Sequence, residues 1–244
     1  MTRISSLTTK IFADGADLES LLRLAKEPYI SGFTTNPTLM RKAGIADYER
    51  FAREVLEQIT DRPISFEVFS DEIPEMRAQA LAIASWGPNV YVKVPVTNTR
   101  SEWTDELVHE LSHEGVQVNV TALMTPAQVD RVAKALAGGA PSNISVFAGR
   151  VADTGVDPVP LMRDALEAAS QAEAAEVIWA SPRELLNIFQ ADEIGCHIIT
   201  VTHDILGKLG LVGKDLDQFS LETVQMFRND AEAAGFTISV ADRA

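Results

Sequence analysis

The stretch NVYVKVPV, residues 89–96, is nearly continuous in β-branched and aromatic residues, with a single cation, Lys93, at its centre. A short apolar run of this kind reads as a strand whose sheet is covered on its outer face. An unpaired ammonium is costly to bury, so Lys93 calls for an explanation. Side chains alternate along a strand. Val90, Val92 and Val94 therefore share one face, and Tyr91, Lys93 and Pro95 the other. Lys93 points either outward, where it has to snorkel past a helix layer, or inward, where its ammonium meets carboxylates.

Similar runs recur along the chain at Ile11–Asp14, Gly32–Thr35, Ile64–Val68, Gln117–Thr121, Ile144–Phe147, Glu176–Ala180 and His197–Val201. The spacing between them leaves room for a loop, a helix and a second loop. Helix signals fall in those gaps. Asp47 precedes YERFAREVLEQI, with Phe51, Val55 and Ile59 at helical spacing. Pro74 sits in a first turn, and Thr125-Pro126, Asp157-Pro158 and Ser181-Pro182 pair a cap with a first-turn proline. Asp217 or Ser220 opens a last helix through about Ala234, stopped by Gly235. Eight strands alternating with about eight helices predict an α/β fold, a (β/α)8 TIM barrel spanning 1–244 as a single domain with an additional C-terminal helix. A doubly wound sheet fits less well, because FADGAD in the first turn lacks the G-x-G-x-x-G pattern.

The 244 residues are 46% hydrophobic, enough for a packed core, and carry a net charge of −14. An acidic chain of this kind offers no electrostatic footprint for nucleic acid or for an anionic membrane. One cysteine, Cys196, allows neither an intrachain disulfide nor a cysteine-rich metal site. MTRISSLTTKIF lacks the apolar core of a signal peptide, and no apolar run reaches the roughly 20 residues of a membrane span. A cytoplasmic location is expected.

In a (β/α)8 barrel, chemistry gathers at the C-terminal ends of the strands. Those ends read Asp14; Thr34, Thr35 and Asn36; Glu67; Lys93; Asn119 and Thr121; Ser145; Ser181 and Arg183; Thr200 and Thr202. Singly, Asp14, Thr125 and Ser181 are as readily helix caps as functional groups, and Glu67 with Lys93 is as simple as an ion pair. Together they suit one kind of chemistry. A lysine desolvated by an apolar wall attacks a carbonyl and forms a Schiff base, and the iminium then draws electrons from a neighbouring C–C bond. Asp14 or Glu67 can shuttle the protons. Asn36, Asn119, Thr121 and Ser145 can hold sugar hydroxyls, and Arg150 and Arg183 can clamp an anionic tail.

GFTTNPTLM, VYVKVPV, VNVTALMTPAQ, SVFAGRVAD and WASPRE resemble, in order and spacing, the motifs of the transaldolase family, which also includes the shorter fructose-6-phosphate aldolase-like enzymes. The resemblance runs from IFADGAD to about HIITVTHDIL. It implies a metal-free class I aldol mechanism that needs no cofactor, with Lys93 as the Schiff-base lysine and Asp14 as the acid/base. Glu67 and Thr121 match the pair that orders a catalytic water. Thr34, Asn36, Asn119 and Ser145 match hydroxyl-binding positions, and Arg150, Ser181 and Arg183 match phosphate-binding ones. The aldolase branch typically carries Gln and Tyr where this chain has Glu67 and Phe147. Phe cannot donate a hydrogen bond to water, which favours transfer of the three-carbon unit over its release. Pro182 replaces a commonly aromatic residue beside the anion site. The family also implies sugar-phosphate substrates and a homo-oligomer. The family expectation for the donor is sedoheptulose 7-phosphate or fructose 6-phosphate; the other readings are a transaldolase acting on a related anionic ketose, an aldolase releasing dihydroxyacetone, and a barrel that only binds sugar phosphates.

His109 and His113, four apart beside Glu106, Glu110 and Glu114, read as a solvated helix face rather than a metal site. Trp86, Trp103 and Trp179 read as packing residues, and Cys196 as core. Leu221, Val224 and Phe227 form an apolar stripe on the last helix, suited to closing the barrel or packing on another subunit.

Overall fold

The alternation seen around Lys93 extends to a whole barrel in a computed structural model that describes residues 4 and 6–239. The single-domain span of 1–244 and the N-terminal reading include residues at the ends that lie outside this set. Strands β1 (Lys10–Asp14), β2 (Ile30–Thr34), β3 (Ile64–Glu67), β4 (Val90–Pro95), β5 (Val118–Leu123), β6 (Ser142–Val146), β7 (Ala175–Trp179) and β8 (Ile198–Thr202) pair in sequence order, and β1 pairs with β8 to close the ring. All pairs are parallel. This is a (β/α)8 TIM barrel.

Val92, Val94, Val118, Val120, Ile144 and Val177 are fully buried on the outward face, where amphipathic helices cover them. The helices are α1 (Leu18–Leu24), α2 (Pro37–Lys42), α3 (Tyr48–Gln58), α4 (Ile73–Ala84), α5 (Asp105–His113), α6 (Pro126–Leu136), α7 (Ala148–Ala152), α8 (Pro158–Ala169), α9 (Leu186–Glu193), α10 (His203–Leu206) and α11 (Leu216–Ala233). Asp47 caps α3 through the Arg50 N–H, and Phe51 and Val55 are buried. Thr125 and Gln128 close a reciprocal capping box on α6. Asp157 caps α8, with Pro158 first in the helix.

Three expectations need correction. Short helices α2, α7 and α10 interrupt the strict alternation after β2, β6 and β8. Ser181-Pro182 does not begin a helix: Ser181 has φ 56°, and α9 starts only at Leu186. Asn187 holds the intervening turn, its Oδ1 accepting from the Arg183 and Glu184 N–H groups. The last helix begins at Leu216, one residue before Asp217, because Asp215 is its cap; Gly235, at φ 66°, follows its end.

The chain divides into two compact units, one through Gly207 and one from Lys208. In the second, α11 has no buried residue, and Leu221, Val224 and Phe227 are exposed. No described helix is long and apolar enough to cross a membrane.

Inside the barrel, Phe12 lies level with Gly32 on the neighbouring strand. A Cβ at position 32 would sit 2.6 Å from the Phe12 ring, so glycine makes room for the ring. Phe12 packs with Ile178, Ala180 and Ile198, and Phe147 covers them. Trp179 and Cys196 are core residues, and burial pushes the Cys196 thiol up to about 12. Trp86 packs on Tyr48 and Phe66, while Trp103 lies under the Arg131 guanidinium. The His109 and His113 rings stack 3.9 Å apart, and each sets Nδ1 against a backbone carbonyl.

Candidate active site

Register brings the polar residues together. Glu67 on β3 is level with Lys93 on β4, and Lys93 is level with Asn119 on β5. Residues level in a parallel sheet point the same way, so all three side chains enter the barrel. Lys93 is 6% exposed, and its inward placement excludes the snorkelling alternative. Its Nζ donates to the Thr35 carbonyl at 2.9 Å and lies 3.2 Å from Glu67 Oε2. The apolar wall expected around the amine is therefore absent at Nζ itself. The valines of β4 face outward to the helices, whereas the ammonium meets two oxygens.

Asp14 ends β1 level with Thr34. It caps no helix; Asp17 caps α1 instead. Thr34 Oγ1 donates to Asp14 Oδ1 at 2.8 Å, which leaves Thr200 to donate to Thr34 at 2.5 Å. Asn36 Nδ2 reaches Asp14 Oδ2 at 3.4 Å, while Asn36 Oδ1 caps α2 through the Leu39 N–H. Asn36 thus serves as helix cap and site residue at once. Burial pushes the Asp14 carboxyl above its ordinary 3.8; Lys93, Thr34 and Asn36 oppose the shift, and the Glu67 charge adds to it.

A raised native pKa means that the folded chain holds this proton to higher pH than the unfolded chain does. The contribution of Asp14 to stability is then complete below about 3.8 and is lost as pH rises through the raised value. Asp14→Asn should therefore raise the melting temperature near neutral pH, by roughly 2–4 °C for each ~1 kcal/mol relieved. The gain should shrink as pH falls toward 4, and turnover should drop in the same variant. Melting curves across pH test this; a variant destabilised at every pH would contradict it.

Thr121 is 2% exposed, and its Oγ1 has no hydrogen-bond partner among the described residues. The next residue, Ala122, has φ 68°, where the β5–β6 register shifts. A strained bulge beside an unsatisfied hydroxyl is a common sign of a functional edge, and the hydroxyl suits a water or ligand oxygen.

A cavity of about 420 Å³ opens here, lined by Asp14, Thr34, Asn36, Glu67, Lys93 and Thr121, and on its far side by Ser145, Phe147, Arg150 and Ser181. Two expected residues do not line it. Asn119 is fully buried beneath, donating to Ser65 Oγ at 3.0 Å and accepting from Ser145 Oγ at 2.7 Å. Arg183 turns away to Asp153, with Nε to Oδ1 at 2.8 Å and the terminal nitrogen to Oδ2 at 2.5 Å. Arg150 faces the cavity from α7, stacked 5.6 Å from the Phe147 ring, with no ion pair among the described residues. The two arginines therefore do not form one clamp.

Sequence reading took Thr35 only as a polar strand-end residue and missed both its carbonyl, which accepts from Lys93, and Gly149. A Cβ on Gly149 would lie 1.5 Å from the Ser181 carbonyl oxygen, so only glycine lets α7 pass under the Ser181 turn. The glycine in SVFAGRVAD was the available signal. A larger hollow of about 610 Å³ at the opposite end of the barrel is lined by Lys10 paired with Glu176 and Arg62 paired with Asp61, whose charges cancel. Among the described residues, no three His, Cys, Asp or Glu side chains are grouped to hold a metal ion.

Known proteins share this sequence pattern. Residues 11–238 match the family described as Transaldolase/Fructose-6-phosphate aldolase. A "Probable transaldolase" of Dehalococcoides mccartyi is 36% identical over 198 residues, which is 81% of this chain and 88% of that one. A "Probable transaldolase 2" of Listeria monocytogenes is 35% identical over 201 residues, 82% and 88% of the two chains. A "Probable transaldolase" of Streptococcus agalactiae is 37% identical over 193 residues, 79% and 85%. A buried lysine beside a carboxylate at the mouth of a parallel barrel and a family match over nearly the whole length agree, and the chain belongs to the transaldolase/fructose-6-phosphate aldolase family.

Proposed function

We propose that this enzyme moves a dihydroxyacetone unit from a ketose phosphate to an aldose phosphate through a Schiff base on Lys93. The observation that carries the reading is the placement of Lys93 Nζ beside Glu67 in a cavity that also holds the raised carboxyl of Asp14.

The neutral amine of Lys93 adds to the ketone carbon of the donor. Glu67, 3.2 Å from Nζ, is placed to accept the proton the ammonium gives up. The carbinolamine loses water to leave an iminium. Asp14, as carboxylate, takes the proton of the C4 hydroxyl; the C3–C4 bond breaks, its electrons pass to the iminium as an enamine, and the aldose phosphate leaves. A raised carboxyl is a stronger base than an ordinary one, and once protonated it can return the proton. The enamine then attacks the carbonyl of an acceptor aldose, and Asp14 protonates the new alkoxide. Water adds to the iminium and frees the lysine. The unsatisfied Thr121 hydroxyl suits that water.

Phe147 lines the same cavity without a donor group, which supports retention of the enamine until an acceptor arrives. Thr34, Asn36 and Ser145 face the donor hydroxyls, with Asn119 holding Ser145 from below. Arg150, with Ser181 beside it, meets the phosphate, and Arg183 stands behind them. Sedoheptulose 7-phosphate or fructose 6-phosphate fits as donor.

Borohydride reduction with fructose 6-phosphate present should leave a covalent three-carbon adduct on the Lys93 peptide, read by mass spectrometry. Without acceptor, glyceraldehyde 3-phosphate should appear in an amount matching the enzyme; with erythrose 4-phosphate it should appear catalytically. No adduct with either donor overturns the Schiff-base reading. Sustained release of free dihydroxyacetone without acceptor would make the protein an aldolase.

A further inference from the structure

The β2–β3 ladder stops one rung early. The Phe33 N–H donates to the Pro63 carbonyl at 2.9 Å and the Thr35 N–H to the Ser65 carbonyl at 3.2 Å. In a parallel ladder the next bond runs from the Glu67 N–H to the Thr35 carbonyl. That bond is missing, because the Thr35 carbonyl accepts Lys93 Nζ instead. Buried backbone groups seldom go unpaired, and here both orphans of Glu67 meet one side chain. The Tyr48 hydroxyl accepts from the Glu67 N–H at 2.6 Å and donates to the Glu67 carbonyl at 3.1 Å.

Tyr48 is the first residue of α3, and three aromatic rings fix it there: Phe66 at 6.2 Å, Phe69 at 4.5 Å and Trp86 at 5.9 Å between centroids. A phenol serves because it both donates and accepts; phenylalanine would fill the same space and do neither.

We propose that Tyr48 is a positioning residue for the reaction: its hydroxyl replaces the missing rung of β2, fixes the backbone that carries Glu67, and leaves the Thr35 carbonyl free to hold Lys93. Without the hydroxyl, the Glu67 N–H competes with Lys93 for the Thr35 carbonyl, and both catalytic groups shift. The proposal rests on the Schiff-base reading of the site.

Tyr48→Phe tests it beside Trp86→Phe, which disturbs the same aromatic cluster but keeps the hydroxyl. Tyr48→Phe should lower kcat about 10- to 100-fold, the usual cost of misplacing a reacting group by about an ångström, with KM within about twofold of the parent. Trp86→Phe should keep kcat within about twofold even if its melting temperature falls. A kcat in Tyr48→Phe equal to the parent's overturns the proposal, as does an equal loss in both variants. The Lys93 adduct separates the two levels. A parent that forms the adduct while Tyr48→Phe is fully active refutes the role of Tyr48 alone. A parent that forms none refutes the functional reading, and the role of Tyr48 with it.

Discussion

Lys93→Ala should abolish the borohydride-trapped adduct and lower turnover by about 10⁴-fold or more, as expected when the group that forms the covalent intermediate is removed. Lys93→Arg makes the sharper comparison. It keeps a cation opposite Glu67 but offers no nucleophilic amine, so it should be equally inactive while retaining the ion pair. The two variants thereby separate the electrostatic role of Lys93 from its covalent one. Steady-state transfer assays with fructose 6-phosphate and erythrose 4-phosphate read the outcome. Turnover within about tenfold of the parent in either variant would sink the covalent mechanism. The fold should survive both changes, because Glu67 lines the open cavity and can be hydrated once its partner is gone.

Gly149→Ala carries the second large effect. Its Cβ would lie 1.5 Å from the Ser181 carbonyl oxygen and 2.7 Å from the carbonyl carbon. Both are backbone atoms, so no rotamer change relieves the clash. Either α7 or the Ser181 turn has to move, and the two carry Arg150 and Ser181 on one side of the cavity. Overpacking of this severity costs about 3 kcal/mol, equivalent to a fall of about 6–12 °C in melting temperature. We expect the kinetic loss mainly in KM for phosphorylated substrates, with the Lys93 adduct still forming at high ketose concentration. A variant that melts within a degree of the parent and keeps its KM would show that the turn is free to yield.

The parts of this design that a sequence displays are local ones. The barrel was legible because each strand is a short apolar run and each of several helices opens on a cap and a proline. The inward turn of Lys93 follows from alternation in NVYVKVPV once the fold is set. Three features lay out of reach because particular side-chain contacts, one local and two long-range, decide them. Ser181-Pro182 imitates a helix start, but the turn is held from Asn187 and the serine adopts φ 56°. Arg183 has the chemistry for an anion, yet Asp153, thirty residues earlier, already occupies it. Asn119 belongs to the polar set of the barrel, but it works beneath the cavity floor. Tyr48 was hidden for another reason: its partners are backbone atoms, which leave no pattern in the side-chain sequence.

The chain from Ser145 through Asn119 to Ser65 runs in one direction. Ser145 has spent its only proton on Asn119, whose amide is oriented by giving its own to Ser65. What Ser145 shows the cavity is therefore lone pairs alone. A group that meets it has to bring a proton. A hydroxyl satisfies this, whereas a fluorine or methoxy group of similar size in the same place does not, and such an analogue would leave a buried oxygen unmatched. On the proposed reading of Ser145 as a contact for a donor hydroxyl, selectivity for a free hydroxyl would follow from the direction of these two hydrogen bonds below the cavity.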